Sequence, residues 1–191
     1  MSEPDTETST HAPAERLADA GANSRGAGGS NRPAGTLVFA IGDHRIDLEM
    51  IGGGEWTLPI GVLDLVEGPL EGADRPRPEH LTNALGVVTD HLDDVLIEAP
   101  IVASAPAVAF TGPHAVMVAR VELGDDDVPA DYVLARADAD EVFRTIVAEP
   151  RAERAHNPGL DADHVDTIVA ACCVVLAVLR RLDLQGAGVA R

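Results

Sequence analysis

Hydrophobic and polar positions alternate along the first apolar part of the chain, and this pattern predicts strands. The run TLVFAIG, at 36–42, is rich in residues with high β propensity. It is followed by RIDLEMI, at 45–51, in which Ile46, Leu48 and Met50 alternate with charged residues. A period of two residues is typical of a half-buried strand.

The three glycines Gly52–Gly54 raise the question of an anion-binding loop. A phosphate loop generally leads from a strand into a helix, whose free N–H groups and dipole hold the charge. Here the glycines lead into the short extended stretch EWTLPIG, in which Trp56 and Pro59 oppose a helix. The pattern therefore predicts a hairpin turn between two strands.

The hydrophobic period changes to three or four residues from Pro78 to Ala99, which predicts a long helix. A short buried strand at 107–110 and a turn at Thr111–Gly112 then precede Pro113, which suits the first position of a helix. This helix is predicted to end at Leu123. Further helices are predicted at 138–148, at 150–156 and from a cap at Asp161 to about Leu182, followed by a last strand from Gly186.

The order of three strands, a helix, a strand and several helices indicates an α/β or α+β fold. Residues 1–35 are rich in Ser, Thr, Gly, Pro and Ala and have almost no large apolar side chains. Such a segment cannot bury enough surface to offset its ordering entropy, so we predict a disordered tail. We expect residues 36–191 to form a single domain.

Composition narrows the classes of function. The chain has a net charge of −18 and no lysine, and its use of Arg, Ala, Gly and Asp is typical of the GC-rich coding of actinobacteria. An acidic surface opposes polyanions, so we expect no nucleic-acid partner.

Cys172 and Cys173 lie side by side in an apolar run without a preceding secretory signal, which favours a reducing cytoplasm and packed, inert thiols. That run is shorter than the about 20 residues of a membrane span, which predicts a buried helix and no membrane contact.

Two acidic groups have the residue types of a metal site but not its spacing. His80, Asp90, His91 and Asp94 are spread over almost three turns of the predicted long helix, and a solvated helix face is the favoured interpretation. The run Asp125–Asp127 lacks the spaced ligands of a calcium loop, and a surface turn is favoured.

Two other groups have the residue types of acid–base or anion chemistry. Asp43 and His44 could form an acid–base pair at a strand end, but a hairpin turn is favoured. Gly112, Pro113 and His114 follow the strand–turn–helix order of an anion site, yet a single glycine is weak evidence, and a plain turn is favoured.

Four segments, spread over about 150 residues, carry a resemblance to a known family. They are FAIGDHRIDL (39–48), TLPIGVLDLVEG (57–68), AVAFTGPHAVMVARVEL (107–123) and AERAHNPGLDADHVDTIVAACCVVLAVL (152–179). In this order they resemble segments of the Ppx/GppA family of exopolyphosphatases and guanosine pentaphosphate phosphohydrolases. The last segment keeps four features of the family pattern "eR…GL…RaDvI": Arg154, Gly159-Leu160, Asp166 and Ile168.

The resemblance implies an α/β fold that is half of an actin-like ATPase (RNase H-like) fold. This half is a mixed sheet with a hairpin meander plus several helices, and residues 36–191 correspond to the second domain of the family. Its phosphate loop, DIGGGS, falls on residues 40–45. Ala40 then replaces the acidic residue, Ile41 and Gly42 are kept, and the sequence Asp-His-Arg replaces Gly-Gly-Ser.

The second phosphate-binding segment of the family, GGT, falls on Thr111, Gly112 and Pro113, and proline removes an N–H donor. His164 and Ala171 replace an arginine and a glycine of the family's last segment. The resemblance thus implies an eroded site without catalytic residues or metal ligands. The predicted remnant of the phosphate loops comprises Ile41, Gly42, Asp43, His44, Thr111 and Gly112.

The resemblance further implies that the family's first domain, with its own phosphate loop and the glutamate that activates water, is absent. Phosphoanhydride hydrolysis in this fold requires two glycine-rich walls, a carboxylate-held Mg²⁺ and a base. We therefore expect a non-catalytic, cofactor-free regulatory or protein-binding role linked to polyphosphate or (p)ppGpp metabolism. The partner would be another protein or a second copy, bound through the apolar face left by the first domain. The alternatives are a Mg²⁺-dependent hydrolase completed in trans by a separate first domain, and a structural or ligand-binding remnant without phosphate chemistry.

Overall fold

The computed structural model of the protein describes residues 32–190. The predicted disordered tail, residues 1–35, lies outside these residues except for its last four positions. The strands are β1 (Thr36–Ile41), β2 (Ile46–Met50), β3 (Glu55–Leu58), β4 (Ala107–Thr111), β5 (Val133–Ala135) and β6 (Gly186–Ala190). The helices are α1 (Val62–Glu67), α2 (Pro78–Glu98), α3 (Pro113–Leu123), α4 (Arg136–Ala148), α5 (Arg151–Arg154) and α6 (Ile168–Arg181).

The six strands form one mixed sheet in the order β3-β2-β1-β4-β6-β5. Strands β1, β4 and β6 are parallel, whereas β2, β3 and β5 each run antiparallel to their neighbours. The first three strands therefore form the predicted hairpin meander. In β2 the predicted alternation is confirmed, because Ile46, Leu48 and Met50 are buried and the residues between them are not.

The three glycines form the turn between β2 and β3, as predicted. Gly52 has a φ of +78°, in the left-handed region that glycine adopts without steric cost. The N–H of Gly53 donates to the carbonyl of Met50, and Ile51 donates to the carbonyl of Thr36. Because Thr36 begins β1, this turn lies at the edge of the sheet opposite the carboxyl ends of β1 and β4.

Helix α6 is the central element of the core. Every residue from Ile168 to Leu179 is buried, and the helix packs against α1, α2, α3 and α4. This confirms the predicted buried helix, and Cys172 and Cys173 are buried within it. Among the helices of the described residues, none combines the length and the apolar character that crossing a bilayer requires.

Several local predictions were wrong in detail. Asp161 does not cap α6; it precedes a short 3₁₀ turn, and its carboxylate accepts a hydrogen bond from Arg120 at 2.6 Å. Helix α6 begins seven residues later, because that turn comes between. The predicted helix at 150–156 is only one turn long, and α1 and β5 were missed. Both missed elements are short, six and three residues long, so neither repeats its hydrophobic pattern often enough to be recognised.

Candidate functional site

The parallel pairing of β1 and β4 brings the two predicted phosphate-loop segments together at one edge of the sheet. Ala40 lies opposite Thr111 in the register of the two strands. Gly112, the next residue, has a φ of +95°, and a Cβ atom at this position would lie 2.8 Å from the carbonyl oxygen of Ile41. The predicted strand–turn–helix order is confirmed, since α3 begins at Pro113 directly after this turn.

The residues of the first segment have different environments. Ile41 is 1% exposed and belongs to the core, so its side chain packs and does not face a ligand. Gly42 donates its N–H to the carbonyl of Arg45 at 3.1 Å and closes the turn between β1 and β2. Asp43 and His44 are exposed at the tip of this turn, which confirms the predicted hairpin.

Asp43 and His44 do not pair with each other; each has a partner elsewhere. The carboxylate of Asp43 accepts a hydrogen bond from Nε2 of His114 at 2.8 Å. His114 is the second residue of α3 and is buried, so Asp43 lies beside the N-terminus of that helix. The positive end of a helix dipole favours negative charge at this position. A carboxylate of the protein itself thus lies beside the first turn of α3, where its partner is the side chain of His114 and not a backbone N–H group.

His44 pairs with Asp64 in α1, and the distance from Nδ1 to the carboxylate is 2.9 Å. The hydrogen bond with Asp64 raises the pKa of His44. The same bond lowers the pKa of Asp64, with a further contribution from the N–H of Gly61, which also donates to this carboxylate. Both side chains are exposed, so the ion pair is expected to contribute little to stability.

The beginning of α1 holds the β1–β2 turn through the backbone. Val62 donates its N–H to the carbonyl of Gly42 at 3.0 Å, and Leu63 donates to the carbonyl of Asp43 at 2.8 Å. These bonds use two of the free N–H groups at the helix N-terminus. The turn is therefore fixed on one side by α1 and on the other by the Asp43–His114 hydrogen bond.

A second histidine, which is only partly buried, packs against His114. The rings of His114 and His164 are 5.5 Å apart and nearly perpendicular. Burial lowers the pKa of His164, and His114 lowers it further. Nδ1 of each ring is buried and has no hydrogen-bond partner within the described residues. The sequence offered no signal for this cluster, because its members lie on segments that are distant in the chain.

The acidic groups do not assemble into a metal site. Within residues 32–190, no three His, Cys, Asp or Glu side chains are placed to hold a metal ion. The predicted solvated helix face is confirmed for Asp90 and Asp94, which are exposed, but it was wrong for His80. That ring is buried because Arg77 at the start of α2 folds over it, with Nη2 2.7 Å from Nε2. The run Asp125–Asp127 is an exposed turn, as predicted.

The comparison with solved structures gives the fold a precedent. An exopolyphosphatase-like protein superimposes with a TM-score of 0.74 and 18% identity, over 84% of this chain and 57% of that one. The Ppx/GppA family member from Aquifex aeolicus gives a TM-score of 0.69 and 17% identity, over 81% and 51%. This chain has the Ppx/GppA fold. An exopolyphosphatase from Cytophaga hutchinsonii follows with a TM-score of 0.61 and 16% identity, over 81% and 52%.

The Ppx/GppA resemblance inferred from the sequence and the predicted fold class, half of an actin-like ATPase fold, are both confirmed. The chain spans about half the length of these structures. No protein-family model matches the sequence, and no curated protein matches it. The assignment of the six remnant residues to phosphate loops stays a prediction. The structure shows that the two segments adjoin and that a hydrogen bond from His114 to the exposed carboxylate of Asp43 connects them.

Proposed function

We propose that this chain is a non-catalytic relative of the Ppx/GppA phosphatases that acts by binding another protein, in a regulatory role linked to polyphosphate or (p)ppGpp metabolism. The observation that carries the proposal is the hydrogen bond between Asp43 and His114 at the adjoining turns. A phosphate site in this position requires N–H donors that point at the anion. Here the carboxylate of Asp43 lies beside the first turn of α3 and is bonded to the side chain of His114.

Charge and backbone chemistry both support the loss of phosphate binding. A phosphate group that approached Asp43 would meet a negative charge at short range, and this repulsion is stronger at low ionic strength. Pro113 has no N–H to donate at the first position of α3. The net charge of −18 opposes a polyanion such as polyphosphate at longer range.

Phosphate release tests the absence of catalysis. The purified full-length chain is mixed with Mg²⁺ and either polyphosphate or pppGpp, and free phosphate is measured over time. We expect release at the level of the protein-free control. Release above that level that scales with protein concentration would contradict the proposal.

Ligand-induced thermal stabilisation tests whether the carboxylate of Asp43 is what prevents phosphate binding. We expect pyrophosphate with Mg²⁺ to leave the melting temperature of the wild-type chain unchanged. Replacement Asp43→Gly removes the carboxylate and restores a glycine, so this variant is expected to gain a concentration-dependent stabilisation. Asp94→Gly, which removes an exposed carboxylate from α2, is the charge-matched control and should gain none. Stabilisation of the wild type to the same extent would show that Asp43 does not exclude the anion.

The proposed protein-binding face is the carboxyl edge of the parallel strands, around Asp43 and His44. This edge is polar, whereas the sequence led us to expect an apolar face. Two exposed large apolar residues elsewhere are Ile97, near the end of α2, and Ile101, in the 3₁₀ turn Pro100–Ser104; they are 79% and 60% exposed. The chain thus offers one polar and one apolar surface for a matched test.

Calorimetric titration with a complete Ppx/GppA enzyme, and sedimentation of the chain alone, test the face. Charge reversal Asp43→Arg is expected to weaken binding to the enzyme or to a second copy, because it reverses the charge at the centre of the proposed polar face. The double replacement of Ile97 and Ile101 by serine is expected to leave the association unchanged. If only the serine variant weakens association, the proposed binding face around Asp43 is wrong. If neither the enzyme nor a second copy binds the wild-type chain, the protein-binding role is wrong.

A second candidate function is a hydrolase completed in trans by a separate first domain. The observation that favours it is that Gly42 and Gly112 still adjoin at the correct edge of the sheet. It predicts phosphate release from polyphosphate that requires Mg²⁺ and both chains together. A mixture with the isolated first domain of a Ppx/GppA enzyme that shows no release would count against it.

A further inference from the structure

The outermost strands of the sheet are β3 and β5, and β5 leaves backbone groups open on its outer side. The carbonyl of Tyr132 accepts a hydrogen bond from β6 at 3.0 Å, and the N–H of Arg136 donates to the residue before β6 at 2.8 Å. In an antiparallel pair, residues bonded to the neighbouring strand alternate with residues whose N–H and C=O point the other way. Val133 and Ala135 therefore direct these groups away from β6, to the side where the described residues place no further strand.

Three of these groups have no partner within residues 32–190: the N–H and C=O of Val133 and the N–H of Ala135. The C=O of Ala135 is used differently, because this residue is the N-cap of α4 and its carbonyl accepts the first bond of that helix. Val133 is 60% exposed, so this side of the strand is accessible. An extended segment laid beside β5 would exchange two hydrogen bonds with Val133 and accept one from Ala135.

The other outermost strand, β3, carries a device that opposes pairing, and β5 does not. The N–H of Met50 donates to the carbonyl of Gly54 at 2.9 Å. By the same alternation, Glu55 and Thr57 direct their backbone groups away from β2. The exposed charge of Glu55 opposes the addition of another strand there. In β5 the corresponding residues are uncharged, and Val133 is β-branched, which favours strand pairing.

The charges beside β5 indicate a cationic partner. Asp131 and Asp138 flank the strand in the chain, and both are exposed. Arg136, which directly follows the strand, is paired with Asp183 at 3.2 Å. A second copy would bring the same carboxylates and its own net charge of −18 to this side, so like charges disfavour self-pairing. A segment that carries arginine or lysine meets complementary charge instead.

We propose that β5 is a docking site for an extended segment of another protein, which adds a further strand to the sheet and carries arginine or lysine. Main-chain hydrogen bonds to Val133 and Ala135 hold the segment, and Asp131 and Asp138 select its charge. Strands β4 and β6 separate this site from the β1–β2 turn, so it is independent of the proposed protein-binding face around that turn. Either proposal can fail without the other.

Fluorescence anisotropy of a labelled peptide tests the docking. The probe is a short peptide of alternating valine and threonine with an arginine at each end, and it is titrated with the full-length chain. One control peptide has glutamate at both ends, and the other is N-methylated at every valine and threonine, which removes its main-chain donors. We expect both controls to bind about tenfold or more weakly than the probe, since one loses the complementary charge and the other the hydrogen bonds.

Proline substitution tests which outermost strand is used. Val133→Pro removes an outward N–H and leaves the bonds to β6 in place, and proline is tolerated where the N–H of a strand faces solvent. Glu55→Pro is the matched control on β3, where the N–H also points outward. We expect Val133→Pro to weaken binding of the probe by about tenfold or more and Glu55→Pro to leave it unchanged. Circular dichroism shows whether both variants are folded.

Amide hydrogen exchange of the wild-type chain locates the docking without any substitution. We expect saturating probe to slow exchange at Val133 and Ala135 by about tenfold or more and to leave Glu55 and Thr57 unchanged. The proposal is overturned if the probe does not bind, if protection appears on Glu55 and Thr57 instead, or if either control peptide binds as tightly. If the wild-type chain is a dimer and Val133→Pro is a folded monomer, the occupant is a second copy and the cationic partner is wrong.

Discussion

The carboxylate of Asp43 and the imidazole of His114 are joined by a hydrogen bond of 2.8 Å, although the two residues are 71 positions apart. The side chain of Asp43 is 60% exposed, whereas that of His114 is 6% exposed. The bond connects the β1–β2 turn to the first turn of α3. A buried polar ring thus depends for its partner on a carboxylate at the surface.

Asp43→Ala is expected to lower the free energy of unfolding by roughly 1–2 kcal/mol, because it leaves a buried imidazole without a partner. Urea denaturation monitored by circular dichroism measures the change. Asp94→Ala, at an exposed position of α2, is the control and should fall within about 0.5 kcal/mol of wild type. Equal effects of the two variants would show that the hydrogen bond does not contribute.

Gly112→Ala is expected to lower the free energy of unfolding by about 2 kcal/mol or more. The φ of +95° is unfavourable for alanine, and the new Cβ would lie 2.8 Å from the carbonyl of Ile41. Gly86→Ala is the matched control, since a Cβ within α2 at that position meets nothing within 4 Å. This second variant should be more stable than wild type by about 0.5–1 kcal/mol. A stable Gly112→Ala protein would show that the two turns can move apart.

His164 and His44 should affect the pH dependence of stability in opposite directions. Burial and the neighbouring His114 lower the pKa of His164 below its usual 6.5, so the unfolded chain binds the proton more readily. Its contribution therefore decreases stability as the pH falls through about 6.5 toward the lower folded value. The pKa of His44 is raised by Asp64, so its contribution increases stability over the acidic side of the same range.

Denaturation midpoints measured between about pH 5 and 8 in His164→Gln and His44→Gln test these two opposite pH dependences of stability. His164→Gln should lose less stability on acidification than wild type, and His44→Gln should lose more. The reverse order would show that burial of His164 does not set its pKa.

The adjacent cysteines should be unreactive in the folded protein. Burial raises the pKa of both thiols, that of Cys173 to about 12, and the thiolate is the reactive form. A chromogenic disulfide reagent at pH 8 should therefore label neither thiol in native buffer and both in guanidinium chloride. Rapid labelling of either thiol in native buffer would mean that α6 opens frequently.

Periodicity was enough to predict most elements of the fold. The alternation of Ile46, Leu48 and Met50 identified β2, and the turn chemistry of the three glycines identified the hairpin, because both depend on neighbouring residues. The resemblance of ordered segments to Ppx/GppA proteins then gave the fold class, which the superpositions confirm. Short elements such as α1 and β5 escaped because their tertiary contacts, and not their own patterns, stabilise them.

The interior positions of polar residues were harder to predict. His80 was expected on a solvated face, but its ring is buried and is hydrogen-bonded to Arg77. Arg154 was identified by its match to a family pattern, but its burial and its hydrogen bonds to the carbonyls of Asp74 and Glu149 follow from tertiary packing. The same residue types at the same spacing would look identical in a sequence if they were exposed.

The sequence by itself determined most of the strands, the long helices and the hairpin turn at Gly52–Gly54. Tertiary structure alone decided that Asp43 bonds His114, that His164 packs against the ring of His114 and that Nε of Arg154 has no acceptor within residues 32–190. Local patterns depend on residues within one turn or one hairpin, so they can be read along the chain. Contacts between side chains 50 or more positions apart depend on how the sheet and helices bring distant segments together. That arrangement is set by the packing of the whole core around α6.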